Sequence, residues 1–354
     1  MMHNLPIVDA DGHLDEDPDA ITALLDPPLN SPMLGRTHGL FPKTISFENR
    51  AAALLRGSKH SPYRDNPDPQ MWLNFANQAN VEQAVIYPTA GIGIGAIQDP
   101  EVAAIMARGY NNWAFQTYTQ FNERLKIVAL LPMQDPKAAA AELKRVKALG
   151  IPGAVLPGLQ FPKPLGSRDY WPVYEEAERQ DFFLGVHGTG LVRGAELLRD
   201  FKGKGLLNHP FCQMSEFASM MTEGVFEAFP RLKVGFLEAG CGWMVYMLDR
   251  LDERADRSSH AGARKPSDLV RESSIFVSAE PYETTLQLAL ERLGSEHIFC
   301  ATDFPHENDE DGTTEYVNQW RSMEGISDTD RKNILSETAR RAYGLPVMAT
   351  TAAA

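Results

Sequence analysis

The chain has 354 residues, 43% hydrophobic and 23% charged, enough apolar material for a true core and a size that α/β barrels reach as one unit. A formal net charge of −13 excludes a nucleic-acid binder, which needs basic stripes against phosphate, and reads as solubility. No apolar run approaches the ~20 residues of a membrane span, no basic-then-apolar stretch stands before the first strand, so a signal peptide is not expected, and Cys212, Cys241 and Cys300 lack the close spacing of a zinc knuckle or redox pair, so the expected setting is the reducing cytoplasm.

In chain order, the first candidate strand is "LPIVDA", and the polar residues Asp9, Asp11 and His13 alternate at its end. Residues two apart on an extended segment share a face, so Asp11 and His13 aim at one spot. A long connection, residues 27–70, follows. The strands "QAVIYPT" and "LKIVALLP" come next, then a helical stretch, "PKAAAAELKRVKALG", that Pro136 can open and Gly150 close. "PGAVLPG" precedes the helical "WPVYEEAERQD", and "FFLGVHG" brings His187 to a strand end before a second long connection, residues 188–214. "LKVGFLEAG" ends in Glu238, "SIFVSAE" leads into the helical "ETTLQLALERLGS", and "HIFCATDFP" carries Asp303. Eight buried-type strands alternating with helices predict an α/β fold, a distorted (β/α)8 TIM-type barrel. A doubly wound open sheet is the alternative, disfavoured because no glycine-rich phosphate loop follows the first strand. The expected organisation is one barrel domain over 1–354, with 27–70 and 188–214 as active-site loops and 347–354 a loose tail.

In a barrel the carboxyl ends of the strands converge on the face that carries chemistry. Taken singly, each strand-end residue has an ordinary structural explanation: a histidine bonded to backbone, an aspartate capping the next element, a glutamate facing water. Repetition at several strand ends argues otherwise. Two imidazoles (His13, His187) and up to three carboxylates (Asp11, Glu238, Asp303) suit one divalent ion, zinc foremost, with manganese or iron as alternatives.

The blocks "DADGH", "GVHG", "FPRLKVGFLEAGCGWMVYMLDRLDE" and "ATDFPHE", supported by "RGYNNW", "LPMQDPKAAAAELKRV" and "ARRAYGL", resemble the amidohydrolase superfamily from about Ile7 to Leu345. The likeness is to the branch typified by aminocarboxymuconate semialdehyde and resorcylate decarboxylases. It implies a distorted barrel with one catalytic metal, homodimers, and Asp11, His13, His187 and Asp303 as the matching ligand positions. Two departures stand out. Asp11 replaces the usual His or Glu, and Glu238 stands where the decarboxylases carry a strand-end histidine.

The leading expectation for the chemistry is hydrolysis of a small, cyclic or aromatic substrate by metal-bound water, with Asp303 as ligand and general base and Glu238 orienting the water. The alternative is non-oxidative decarboxylation of an aromatic or unsaturated acid, with Asp303 or Glu238 protonating the carbon. A third reading is a silent binding barrel. Charge counting favours hydrolysis: three carboxylates against a divalent ion leave the site one unit negative and repel a carboxylate substrate, unless Glu238 is protonated or a cation among Arg36, His60, Arg64 and Arg193 compensates. His209, Arg64 and Trp171 are the candidate substrate contacts, and His306 is expected to support Asp303 from outside rather than bind the ion. Phe41, Phe47, Tyr63, Trp72 and Tyr170 add to the aromatic character of the predicted loops. Neither nucleic acid nor membrane is an expected partner.

Overall fold

The computed structural model describes residues 5–31, 39–42, 68–188, 201–258, 264–306 and 310–348. Its strands are β1 (Ile7–Leu14), β2 (Val81–Pro88), β3 (Leu125–Ile127), β4 (Ala129–Leu130), β5 (Gly153–Pro157), β6 (Phe183–His187), β7 (Lys233–Phe236), β8 (Ile275–Ala279) and β9 (Ile298–Cys300). Every strand pair is parallel. The ladders run β1-β2-β3 and β4-β5-β6-β7-β8-β9. Two sets of backbone bonds join them. Val128, between β3 and β4, donates to the Ile86 carbonyl at 3.0 Å, so β3 and β4 are one strand with a kink. Beyond β9, Asp303 N donates to Asp11 O at 2.8 Å and His13 N donates to Phe304 O at 2.7 Å, sewing the last strand to the first. The result is an eight-stranded closed barrel, each strand one of the eight apolar runs, and the open-sheet alternative falls away.

The strands form because they are apolar on both faces, with β1, β5, β6 and β8 buried throughout. Several of the helices between them begin at aspartate side-chain caps. Asp135 accepts from Lys137 N and Ala138 N ahead of Pro136–Ala148, and Gly150, at φ 90°, follows that helix in the left-handed region. No helix among the described residues is long and apolar enough to cross a membrane.

One prediction needs correcting. Part of 188–214 is not a loop, since 201–214 belongs to the helix Phe201–Thr222. Gly203, Gly205 and the internal Pro210 mask it in sequence, because glycine and proline are the poorest helix formers. Burial of Cys212, Gln213, Glu216, Phe217 and Met220 holds it instead.

β1 carries an extra residue: Asp9 pairs with Ala84 and Gly12 with Ile86, three steps against two. This bulge takes Asp9 out of phase with Asp11 while Asp11 and His13 stay on the inner face. Gly12 points outward onto Trp72, which is fully buried and donates from Nε1 to His13 O at 3.0 Å. A Cβ at Gly12 would lie 2.2 Å from Trp72 Cη2. Gly12→Ala is therefore expected to cost about 1–3 kcal/mol by overpacking, read from urea unfolding, and a parent-like midpoint would refute it.

Candidate metal centre

Four strand ends deliver the five residues of the site. Asp11 and His13 come from β1 and His187 closes β6, and all three are buried. Glu238 follows β7 and Asp303 follows β9, and both adopt left-handed backbone, φ 59° and 52°. That conformation is uncommon for a non-glycine residue and here turns each carboxylate toward the barrel mouth.

His13 Nδ1 lies 3.0 Å from Pro88 O and His187 Nδ1 2.8 Å from Gly188 O. A carbonyl accepts only from N–H, so these contacts put the proton on Nδ1 and leave the Nε2 lone pairs facing inward. His13 Nε2 is 3.7 Å from Asp11 Oδ1, and His187 Nε2 is 3.8 Å from Asp11 Oδ2. Both Asp11 oxygens and both Nε2 atoms are buried without a hydrogen-bond partner among the described residues. Orphaned buried acceptors are costly, and two imidazole lone pairs around a carboxylate are the donor set of a divalent cation. Electrostatics agree. Burial, then Glu238 and Asp303, pushes the Asp11 carboxyl well up; burial, then His306 and His187, pushes His13 well down; and burial pushes His187 down despite the pull of Glu238. A cation would reverse the penalty on Asp11 while using the neutral imidazoles. The residues fit the group.

The other carboxylates flank this trio. Asp303 Oδ1 is 3.2 Å from His13 Nε2 and 3.0 Å from His306 Nδ1. His306 also stacks on His13 at 4.0 Å between centroids and meets Thr89 Oγ1 at 2.8 Å through Nε2. Burial opposes a charge on His306, yet Asp303 pushes it up to about 9. Glu238 Oε2 sits 3.1 Å from His187 Nε2 and 2.9 Å from His209 Nδ1. Burial alone would raise Glu238, but His209 and His187 outweigh it and hold the carboxyl below the usual range. His13, Asp303 and His306 form a second potential ligand group that shares His13 with the first.

His209 thus reaches the site from the helix Phe201–Thr222, and Gly188 makes room for it: a Cβ there would lie 2.1 Å from His209 Nδ1. Trp171 does not join the cluster. It packs edge-on against Phe229 and beneath Arg168, filling a space in the helical layer. Trp72, Tyr170 and Phe41 are likewise core residues, so the aromatic argument for a cyclic substrate loses these members. Arg36, Phe47, His60, Tyr63, Arg64 and Arg193 lie outside the described residues. Sequence reading missed Thr89 as the partner of His306. It also missed Glu280, at the end of β8, whose charge raises Asp11 and which accepts from Tyr316 Oη at 2.7 Å. A polar residue ending "SIFVSAE" was the available signal for Glu280.

A family profile described as Amidohydrolase matches residues 8–345. The chain belongs to the amidohydrolase family. The family is one of enzymes, and several relatives of this member are decarboxylases by name. It is 28% identical over 258 residues to gamma-resorcylate decarboxylase of a Polaromonas species, covering 68% of this chain and 77% of that one. It is 24% identical over 284 residues to 2-amino-3-carboxymuconate-6-semialdehyde decarboxylase of Dictyostelium discoideum, covering 78% and 77%. The crystal structure of a Polaromonas dihydroxybenzoic acid decarboxylase with bound manganese and the inhibitor 2-nitroresorcinol superposes with a TM-score of 0.72 at 21% identity, covering 96% of this chain and 97% of that one. The likeness in structure supports the barrel. These names overturn hydrolysis as the main reading of this amidohydrolase-family member. The charge count behind that reading was incomplete, since it omitted His209 and His306, each within 3.0 Å of a flanking carboxylate.

Proposed function

We propose that this chain is a metal-dependent, non-oxidative decarboxylase of hydroxylated aromatic acids. The observation that carries the reading is the buried trio Asp11, His13 and His187, its lone pairs converging and unmet, with Asp303 and Glu238 on either side of it. The relatives named as gamma-resorcylate decarboxylases supply the substrate class.

Asp11, His13 and His187 would hold the ion, with Asp303 adjoining. A bound divalent cation supplies a Lewis acid that anchors substrate oxygens and lowers the cost of negative charge on the ring. Asp303 delivers a proton to the ring carbon that bears the carboxylate. The bond to the carboxyl carbon then breaks, its electron pair returns to the ring and CO2 leaves, so one aromatic carboxylate and one proton become one arene and one CO2. His306, at 3.0 Å, is placed to return a proton to Asp303. Glu238, fixed between His187 and His209, accepts a hydrogen bond from the ring hydroxyl and orients it. Zinc and manganese both accept this donor set. Reconstituting metal-free protein with each identifies the ion that supports turnover.

The direct test incubates the protein, loaded with Mn2+ or Zn2+, with 2,6-dihydroxybenzoate and follows CO2 and 1,3-dihydroxybenzene, which are expected in equal amounts. Failure of both loaded forms on this acid and on a panel of hydroxy- and methoxybenzoates would sink the proposal. Glu238→Gln is expected to lower kcat by about 100-fold while metal per chain stays at the parent value. Loss of the metal instead would make Glu238 a ligand.

A further inference from the structure

We propose that Asp9 is a positioning residue: through Thr302 it locks Asp303 against Asp11 across the seam where the barrel closes. The claim rests on the metal-centred reading above. Asp9 is fully buried. Its Oδ1 accepts from Thr302 N at 3.0 Å and from Asp11 N at 3.4 Å, and its Oδ2 accepts from Thr302 Oγ1 at 2.6 Å. Thr302 Oγ1 in turn accepts from Phe304 N at 3.2 Å. Asp303, between these two anchored residues, donates its own N–H to Asp11 O at 2.8 Å. The segment 302–304 is therefore tied to β1 at every residue, with Asp303 at its centre in left-handed backbone.

That conformation is unfavourable for an aspartate and persists only where its surroundings over-determine it. The Asp9 carboxylate grips both the N–H and the hydroxyl of Thr302, which fixes the residue's rotation as well as its place. With that grip released, the backbone at Asp303 can relax and carry its carboxylate away from His13. Closing the seam does not itself require a carboxylate. Neighbouring strands pair through backbone alone, and a buried carboxylate costs more than an apolar pair of the same volume. The bulge in β1 that turns Asp9 out of phase with Asp11 is what directs it to Thr302.

Thr302→Val removes the hydroxyl at constant shape, and Thr302→Ser restores it. Asp9→Asn changes the acceptor itself, and should it fail to fold, the Thr302 pair carries the test. The readouts are the Mn2+ dissociation constant from calorimetry on metal-free protein, kcat and KM for 2,6-dihydroxybenzoate, and the thermal midpoint. Thr302→Val is expected to weaken Mn2+ binding about 10- to 100-fold, the usual effect of losing an outer partner, and to lower kcat with KM little changed. Thr302→Ser is expected to recover both. Folded Thr302→Val with the metal affinity and kcat of an active parent would overturn the clamp, whatever happened to the midpoint. A parent that neither binds Mn2+ nor releases CO2 would overturn the decarboxylase reading and the clamp with it.

Discussion

Asp303→Asn is expected to lower CO2 release from 2,6-dihydroxybenzoate by roughly 100- to 10,000-fold, the range a positioned general acid contributes. The side chain keeps its shape and one oxygen beside His13 and His306, so the barrel and much of the metal affinity should survive; what is lost is the acidic proton. The variant separates Asp303 as proton donor from Asp303 as mere ligand. Stopped turnover with metal retained supports the first role. Metal loss in step with activity would assign only the second, and a parent-like rate would remove Asp303 from the chemistry. Its geometry suits the donor: Oδ1 lies 3.0 Å from His306 Nδ1, from which a proton can be resupplied, and 3.2 Å from His13 Nε2.

The reasons why some of this site could be read from sequence and some could not are physical. The barrel was legible because parallel strands buried on both faces write themselves as short continuous apolar runs, and "FFLGVHG" and "LKVGFLEAG" have no competing helical period. Asp11, His13, His187, Glu238 and Asp303 were visible because each interrupts or ends such a run. His209 is harder to see, since it reaches the cluster from a helix whose glycines and Pro210 give it the look of a loop. Its role depends on Gly188 leaving room for its ring, a steric fact without a sequence signature. Thr89 and His306 are 217 positions apart and meet only because β2 and the turn after β9 flank β1 on opposite sides. Trp171 fails in the other direction. An aromatic residue near a strand-to-helix connection is as useful to helix packing as to a substrate, and Phe229 and Arg168 claim it.

The charge argument for hydrolysis erred in a related way, by counting three strand-end carboxylates against the ion without the imidazoles of His209 and His306 that fold beside two of them. Glu238 is not a surplus negative charge facing an incoming carboxylate. Against the penalty of burial, His209 at 2.9 Å from one of its oxygens draws the carboxyl below the usual range. Asp303 has His306 beside it. Each flanking carboxylate thus carries its own imidazole, which relieves the repulsion of an aromatic carboxylate on which the preference for hydrolysis rested.

His13→Ala is expected to have the largest effect of any single change, because His13 belongs to both potential ligand groups. Of the two, the group with Asp11 and His187 is the better cation site. In the other, both ring nitrogens of His306 are already engaged, by Asp303 and by Thr89, so binding through it would break bonds that the protein makes on its own. Dialysed His13→Ala should carry no stoichiometric divalent metal by elemental analysis and release no measurable CO2. It should also lose the thermal stabilisation that the parent gains from added Mn2+, which for one site at a hundredfold excess over the dissociation constant is about 2.7 kcal/mol. His306→Gln discriminates between the two groups: the parent's metal content and thermal shift should persist if the ion sits with Asp11 and His187, and should vanish if it sits with Asp303 and His306. A His13→Ala protein that still takes up one ion per chain would exclude both groups and leave the orphaned oxygens of Asp11 without an explanation.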